Sequence, residues 1–316
     1  MLFFPSHDIA LGNGVRHFNP PAAAVSLQND LAWLAEIWNK GLDSPLPWGW
    51  DWDTREYIAR HLGIKRCNLP DDSQLEALRQ LSSRRSSITI LRALGYEKNL
   101  PQYLTNEQEL TDFVMRMDKE SHDFVLKTPW SSSGRGLIRS TVTPRSIMMT
   151  RAMSTVRKMG GIMAERWHDK VQDFAMLFFI GHDGVSFVGY SLFDNEESGT
   201  YRQGYLLSND EIERRLSVPV GILHTLRGKL KMVMDEMFSS FFNLPWQVGF
   251  AGIDMITYHN SSQTDVFPCI ELNLRCTMGV VARLWFDQHM TDGQTGRFII
   301  SPMQENGHFE AQFIID

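Results

Sequence analysis

The sequence has no hydrophobic run long enough to cross a bilayer: its longest unbroken apolar stretch, Phe174–Ile180, falls far short of the ~20 residues a spanning helix needs. Cysteine is scarce, with three thiols and no C-x-x-C pair. Cys269 and Cys276 stand at an odd offset, which on a strand puts them on opposite faces, unable to pair or share a metal there; both read as small core-filling residues. Met1–Asp8 lacks a basic stretch and soon meets proline and charge, so no secretory leader is read and the cytoplasm is the expected compartment. An excess of positive charge is also missing. Lys and Arg number 31 against 37 Asp and Glu, a net charge of −6, which argues against a general nucleic-acid binder or an anionic-membrane binder. The ten histidines form no H-x-x-x-H or H-E-x-x-H cluster, and no repeat or charge block marks a linker.

What is present is ordinary for a soluble globular chain: 316 residues, 43% hydrophobic and 22% charged. That length is enough for about two domains with a sizeable core and no need of disulfides. Residues 1–80 read as a small α/β unit, with a short strand at Leu2–Pro5. A helix opened by Pro20-Pro21 carries Leu27, Leu31, Leu34 and Trp38, and shorter helices follow at Tyr57–Leu62 and Leu75–Leu81. The helix bearing Ile88, Leu91 and Leu94 begins the larger unit, 81–316. Thr105 with Gln108 predicts a capping box for a helix bearing Leu110, Phe113 and Met117. From Phe124 the period becomes two. Strands are predicted at Phe124–Lys127, Gly136–Ser140, Ile162–Trp167, Phe174–Ile180, Val185–Phe193, Tyr201–Leu207, Val248–Tyr258 and Val266–Cys276. Helices are expected after Pro144, Ser208 and Pro219 and over Val280–His289. Strands in consecutive blocks with few crossovers predict an α+β chain with antiparallel sheets. Most of the nine tryptophans are expected to fill the N-terminal core and its interface.

Three places turn polar. In Cys269–Cys276 (CIELNLRC) the residues Glu271, Asn273 and Arg275 share one strand face. A solvated outer face is the plain reading, but the strand has a partner in Val248–Tyr258, whose one acidic residue is Asp254. If the loop His259–Asp265 closes a hairpin, Asp254 falls opposite Glu271. Directly opposed carboxylates destabilise a ladder unless a cation lies between them, and Asp, Glu and Asn oxygens suit Mg²⁺ or Mn²⁺ held jointly with a phosphate. In the second place a strand ending at Lys127 runs into the small-residue loop Ser131–Gly136, which can offer amides and hydroxyls to an anion. It lacks a GK[ST] and is no Walker A loop. The third is Ile162–Asp173, with Glu165 and Asp173 at strand ends, where solvated charges are equally expected.

In this order the three places resemble the ATP-grasp superfamily over roughly residues 82–290: a lysine-bearing strand, a Gly-rich loop, an acidic hinge and a late D…E-x-N on adjacent antiparallel strands. The resemblance implies an ATP-grasp fold, two α+β subdomains whose antiparallel sheets grip ATP, preceded by the N-terminal unit. It implies that Lys127 holds the phosphates under the loop Ser132, Ser133, Gly134, Arg135 and Gly136. The backbone of Glu165, Arg166 and Trp167 would read adenine, and Asp173 would take the ribose hydroxyls. Asp254, Glu271 and Asn273 would hold Mg²⁺ (or Mn²⁺), with Arg275 facing the transferred phosphoryl group. The family's second upstream lysine is replaced here by Arg84, a planar fork rather than a point charge. Arg202, in the mixed aromatic and polar stretch Tyr190–Tyr205, is a candidate for a substrate carboxylate, and a hairpin with an acidic turn is the competing reading. His7 beside Asp8 reads as a structural histidine.

Phosphoryl transfer needs positioning and charge neutralisation more than a protein nucleophile. The implied activity is a cytoplasmic ligase joining a carboxylate to an amine (or a thiol), using Mg-ATP on an amino acid, peptide or small metabolite, without nucleic-acid or membrane partners. Homodimers are frequent among such proteins, and one is expected here. A kinase acting on a hydroxyl and a non-catalytic nucleotide-binding scaffold are the alternatives on the same fold.

Overall fold

In the computed structural model all residues are described except 1, 15, 132–135, 197–199, 261–262 and 304–306. Up to residue 101 the chain is helical: α1 His7–Asn13, α2 Ala22–Asp30, α3 Ala35–Asn39, α4 Trp52–His61, α5 Asp72–Leu81 and α6 Ser86–Ala93. Side-chain oxygens set two of the starts. Asp51 accepts the Thr54 N–H at 2.7 Å to open α4, and Asp71 forms a capping box with Gln74 at α5. The long helix expected over Leu27–Trp38 is broken by a 3₁₀ turn at Ala32–Leu34. The strand expected at Leu2–Pro5 is absent, so the first 80 residues, read as α/β, hold no strand among the described residues. Leu2 has one backbone partner, its carbonyl accepting the Trp48 N–H at 2.7 Å. Phe3 is buried edge-on to Trp48 at 4.9 Å. The apolar run thus serves as a core plug, not as a ladder.

Next come β1 Gln102–Leu104, α7 Glu107–Lys119, β2 Phe124–Lys127, β3 Leu137–Arg139, α8 Arg145–Met159 and β4 Ile162–Arg166. The strands form an antiparallel sheet in the order β1-β4-β2-β3. Leu110 and Phe113 of α7, with Met148 and Ala152 of α8, bury against Phe124, Leu126 and Ile138 in a core confined to this lobe. The cap of α7 is one residue later than predicted: Asn106 accepts the Glu109 N–H, and Glu109 returns to the Thr105 N–H at 2.7 Å.

The larger sheet follows: β5 Lys170–Ile180, β6 Val185–Asn195, β7 Tyr201–Leu206, α9 Asn209–Arg215, α10 Val220–Phe238, β8 Gly249–Asn260, β9 Gln263–Asn273, α11 Met278–His289, β10 Gly296–Pro302 and β11 Phe309–Ile315. Its seven antiparallel strands run β11-β10-β7-β6-β5-β8-β9. Every predicted strand after residue 120 is present; β1, β10 and β11 were not predicted. Alternate residues of β5 enter two cores, as the two-residue period requires. Phe174, Met176 and Phe178 pack with α9 and α10 and with Ile58, Leu75 and Ile90 of α4–α6. Ala175 and Leu177 pack with Val280 and Phe286 of α11 and with Leu34, Trp38 and Trp48. The N-terminal helices therefore cover both faces of the large sheet. Trp38, Trp48 and Trp50 are buried as expected, whereas Trp33 is exposed.

Candidate active site

The two sheets face each other across a cleft of about 330 Å³, closed at one end by the N-terminal segment. Lys127, at the end of β2, is buried and ion-paired with Glu165 of β4. Val125 lies opposite Glu165, so Lys127, two residues on, shares that face and reaches diagonally across the pair. Glu165 sits inside β4, one residue before its end, with its carboxylate on Lys127. The Trp167 N–H is already committed to the Asp123 carbonyl at 2.8 Å and cannot read a base, although its ring, beneath the Arg139 guanidinium at 4.6 Å, does line the cleft. Arg166 lines the rim and is exposed. The chain crosses between the sheets at Trp167–Asp169. There the His168 ring lies 4.6 Å from Phe267 and 5.0 Å from Tyr258, and burial lowers its pKa, which favours the neutral imidazole.

Asp254 and Glu271 are directly opposed on β8 and β9. The pairing runs to Asn260 opposite Gln263, so the hairpin loop is tighter than His259–Asp265. The register then shifts: Ile256 faces Phe267 and Asp254 faces Glu271, leaving Pro268, Cys269 and Ile270 opposite Met255 alone. A proline has no N–H for the ladder, and a bulge is where a strand tolerates it. Desolvation, followed by the Glu271 charge, pushes the Asp254 carboxyl up to about 7. Glu271 accepts from Arg84 Nη2 at 2.9 Å, and Asn273 Oδ1 accepts from Arg275 Nη2 at 2.9 Å. No group of three or more His, Cys, Asp or Glu is placed for a metal among the described residues. The donor set is this carboxylate pair with the Asn273 amide: hard oxygens of the kind that fits Mg²⁺, with the Glu271 charge met by Arg84. Asp173, also on the cleft, accepts from Lys170 Nζ at 2.6 Å and Asn195 Nδ2 at 3.2 Å.

Arg84 is buried. Its Nη1 donates to the Thr128 carbonyl and Ser131 Oγ, both at 2.7 Å, which ties the N-terminal helices to the start of the small-residue loop. Its Nε is buried without a partner among the described residues. Arg275 Nε donates to Asp8 at 2.8 Å. Arg202 is exposed and not part of the cleft wall; Tyr201, which points to the other face of β7, lines it instead. Gly136 takes a left-handed φ of 76° and does not line the cleft. Ser132, Ser133, Gly134 and Arg135 lie outside the described residues. Cys269, on β9, and Cys276, beyond its end, are both buried, and their pKa values are pushed up by burial, consistent with a packing role. Sequence reasoning missed Asp8, Trp48, Arg139 and His168. The one available signal was for Asp8, a charged residue next to His7 near the start of the chain.

Neither a family model nor a curated protein matches the sequence. Solved structures do. The biotin carboxylase of Campylobacter jejuni, solved as a β-γ-ATP complex, matches 80% of this chain and 58% of its own at 12% identity, with a TM-score of 0.51. The carboxyaminoimidazole ribonucleotide synthase of Aspergillus clavatus, complexed with ATP, gives 15% identity and a TM-score of 0.47 over 78% of this chain and 62% of its own. The N5-carboxyaminoimidazole synthetase of Staphylococcus aureus, complexed with ADP, gives 9% and 0.45 over 72% and 58%. The chain thus spans between 58% and 62% of the length of these proteins. At such identities the likeness speaks for the backbone alone. With two antiparallel sheets facing across a cleft and four fifths of the chain matched to the biotin carboxylase, the fold is that of the ATP-grasp superfamily.

Proposed function

We propose that the chain is an ATP- and Mg²⁺-dependent ligase that activates a carboxylate as an acyl phosphate and joins it to an amine. The opposed Asp254 and Glu271, with Asp254 pushed to about 7 on the wall of the cleft, carry this reading. Arg84 already offsets the Glu271 charge, and Asp254 is the carboxyl whose ionisation a bound cation would favour. Asp254, Glu271 and Asn273 would hold Mg²⁺, which when bound neutralises phosphate charge. Lys127 and Arg84 would contact the phosphates, each exchanging its carboxylate partner for them. Trp167 would offer its ring to the base and Asp173 a carboxylate to the ribose. Arg275 would stabilise charge on the transferred group. The terminal phosphoryl passes to a carboxylate oxygen and ADP leaves; the amine then attacks the acyl carbon and phosphate leaves. The fold match to an ATP complex supports the nucleotide assignment.

A thermal-shift titration with ATP, with and without Mg²⁺, tests this on the wild type and Glu271→Gln. Saturation at 100 Kd raises stability by about 2.7 kcal/mol. A Mg²⁺-dependent shift in the wild type that the variant loses is expected; no shift at millimolar ATP defeats the reading. One observation favours a non-catalytic scaffold: Lys127, Arg84 and Arg275 are all neutralised by the chain's own Glu165, Glu271 and Asp8. A Mg-ATP shift with no phosphate release in any substrate mixture would select it.

A further inference from the structure

The end wall of the cleft is built by the N-terminal segment. The Trp48 N–H donates to the Leu2 carbonyl at 2.7 Å and the Trp48 carbonyl accepts the Cys276 N–H at 2.6 Å, knitting residues 2, 48 and 276 together. The start of α1 is locked in turn by His7, fully buried, whose Nδ1 lies 3.0 Å from Asp51. Gly49 leaves room for that ring: a Cβ there would lie 2.6 Å from His7 Nε2. So held, Asp8 presents its carboxylate to Arg275 at the cleft surface, the two side chains 16% and 13% exposed. The Arg275 guanidinium lies 5.9 Å from the Trp48 ring centroid. The cleft that this pair faces also takes apolar lining from Pro5, Leu27, Trp48, Phe193, Tyr201 and Met278.

A wall with a carboxylate and a guanidinium side by side, in a cleft with apolar lining, complements a ligand with adjacent opposite charges and an apolar body. We infer that this wall binds the amine substrate of the ligation, and that this substrate is an apolar α-amino acid: its ammonium on Asp8, its carboxylate on Arg275, its side chain against Leu27, Trp48 and Tyr201. The role as amine substrate rests on the ligase reading above; the binding site does not. Asp8 is then a specificity-determining residue, selecting for the ammonium group that a simple carboxylate lacks.

Calorimetric titration of the full-length chain, with and without Mg-ATP, tests this with leucine, valine and phenylalanine. For each, the two half-molecules are titrated alongside; for leucine these are 4-methylpentanoate, without the ammonium, and 3-methylbutylamine, without the carboxylate. One or more of the three amino acids should bind at least about tenfold tighter than either of its halves, the worth of a charge-assisted hydrogen bond. Asp8→Asn should remove that margin while leaving the amine-free acid at least as tight as before, since the charge opposing it beside Arg275 is gone. If Asp8 only braced the fold, the variant would weaken all ligands alike, and that result overturns the inference. So does a wild type that binds none of the amino acids, or binds none of them better than its amine-free acid. This wild-type comparison stands even if the variant does not fold. Amino-acid discrimination without a Mg-ATP shift would keep the site and remove the ligase reading; a Mg-ATP shift without discrimination would do the reverse.

Discussion

Asp254 is the residue whose charge state the cleft controls. Its carboxyl is pushed from the model-compound 3.8 to about 7, so the folded state holds a proton there that the unfolded chain releases above pH 4. A raised folded pKa makes this contribution fully favourable below the unfolded value and loses it as pH rises through about 7. Without metal, Asp254→Asn should therefore raise the melting temperature modestly at pH 5, where the contribution is partly lost, and clearly more at pH 8, where it is wholly lost. The Mg²⁺-dependent shift should weaken in the wild type below pH 7, as a proton competes for the ligand, and vanish in the variant. Melts in EDTA and in Mg²⁺ at both pH values check this; an equal change at pH 5 and pH 8 would mean the two carboxylates do not feel each other. The buried Lys127–Glu165 pair makes a different demand. Lys127→Met strands the Glu165 charge and should cost about 3–5 kcal/mol, so lost nucleotide binding in that variant alone says little. Lys127→Met with Glu165→Gln should recover most of the stability by chemical denaturation. If that stable double variant still bound ATP like the wild type, Lys127 would be no phosphate ligand.

Among elements, the N-terminal segment is where packing sets the site. Gly49→Ala puts a methyl group on the buried His7 ring, within 2.8 Å of three of its atoms, and the ring is held by Asp51 with little room to yield. The expected cost is about 1–3 kcal/mol, and α1 must shift, drawing Asp8 from Arg275. A structure of the variant should show a lengthened Asp8–Arg275 pair; an unchanged pair with full stability would show that α1 floats free of its His7–Asp51 anchor. The strand pair bearing Asp254 and Glu271 was legible in the sequence, because two-residue alternation and one charged residue in an uncharged run leave few registers. The bulge at Pro268–Ile270 was not, since the loop midpoint gives the pairing and not the path to it. β1, three residues long, exists through its pairing with β4, which no local window reveals. Leu2–Pro5 looked like a strand, but an apolar run says nothing of whether a neighbour exists to pair with. Asp8 stands 267 residues from Arg275, and only the fold joins them. The pairing of Glu165 with Lys127 crosses two strands, so no local window shows it.

For the molecule as a whole, the cores show which parts stand or fall together. The four-stranded sheet with α7 and α8 keeps its buried residues to itself. The seven-stranded sheet does not: Ile58, Leu75, Leu78, Ile90 and Leu91 bury on one of its faces, and Leu31, Leu34, Ile37, Trp38 and Trp48 on the other. Each such side chain contributes roughly 1.5–3 kcal/mol on burial, and a folded chain keeps only about 5–15 kcal/mol in all. Deleting residues 1–80 removes eight of these ten and bares both faces at once, so the loss exceeds what the remainder has to spare. The truncated chain should lose the thermal transition and the near-ultraviolet signal of the large sheet, keeping only those of the four-stranded lobe, whose core contains no residue from 1–80, while the full chain shows both. A truncated chain that kept protected amides in the large sheet would mean that the helices cap a sheet already stable without them. Retained Mg-ATP stabilisation in such a fragment would further show that the nucleotide end of the cleft stands without Asp8 and Trp48. The expected collapse would instead make the end wall and the large sheet one folding unit, with the charged pair at its surface fixed by the same packing that holds the sheet.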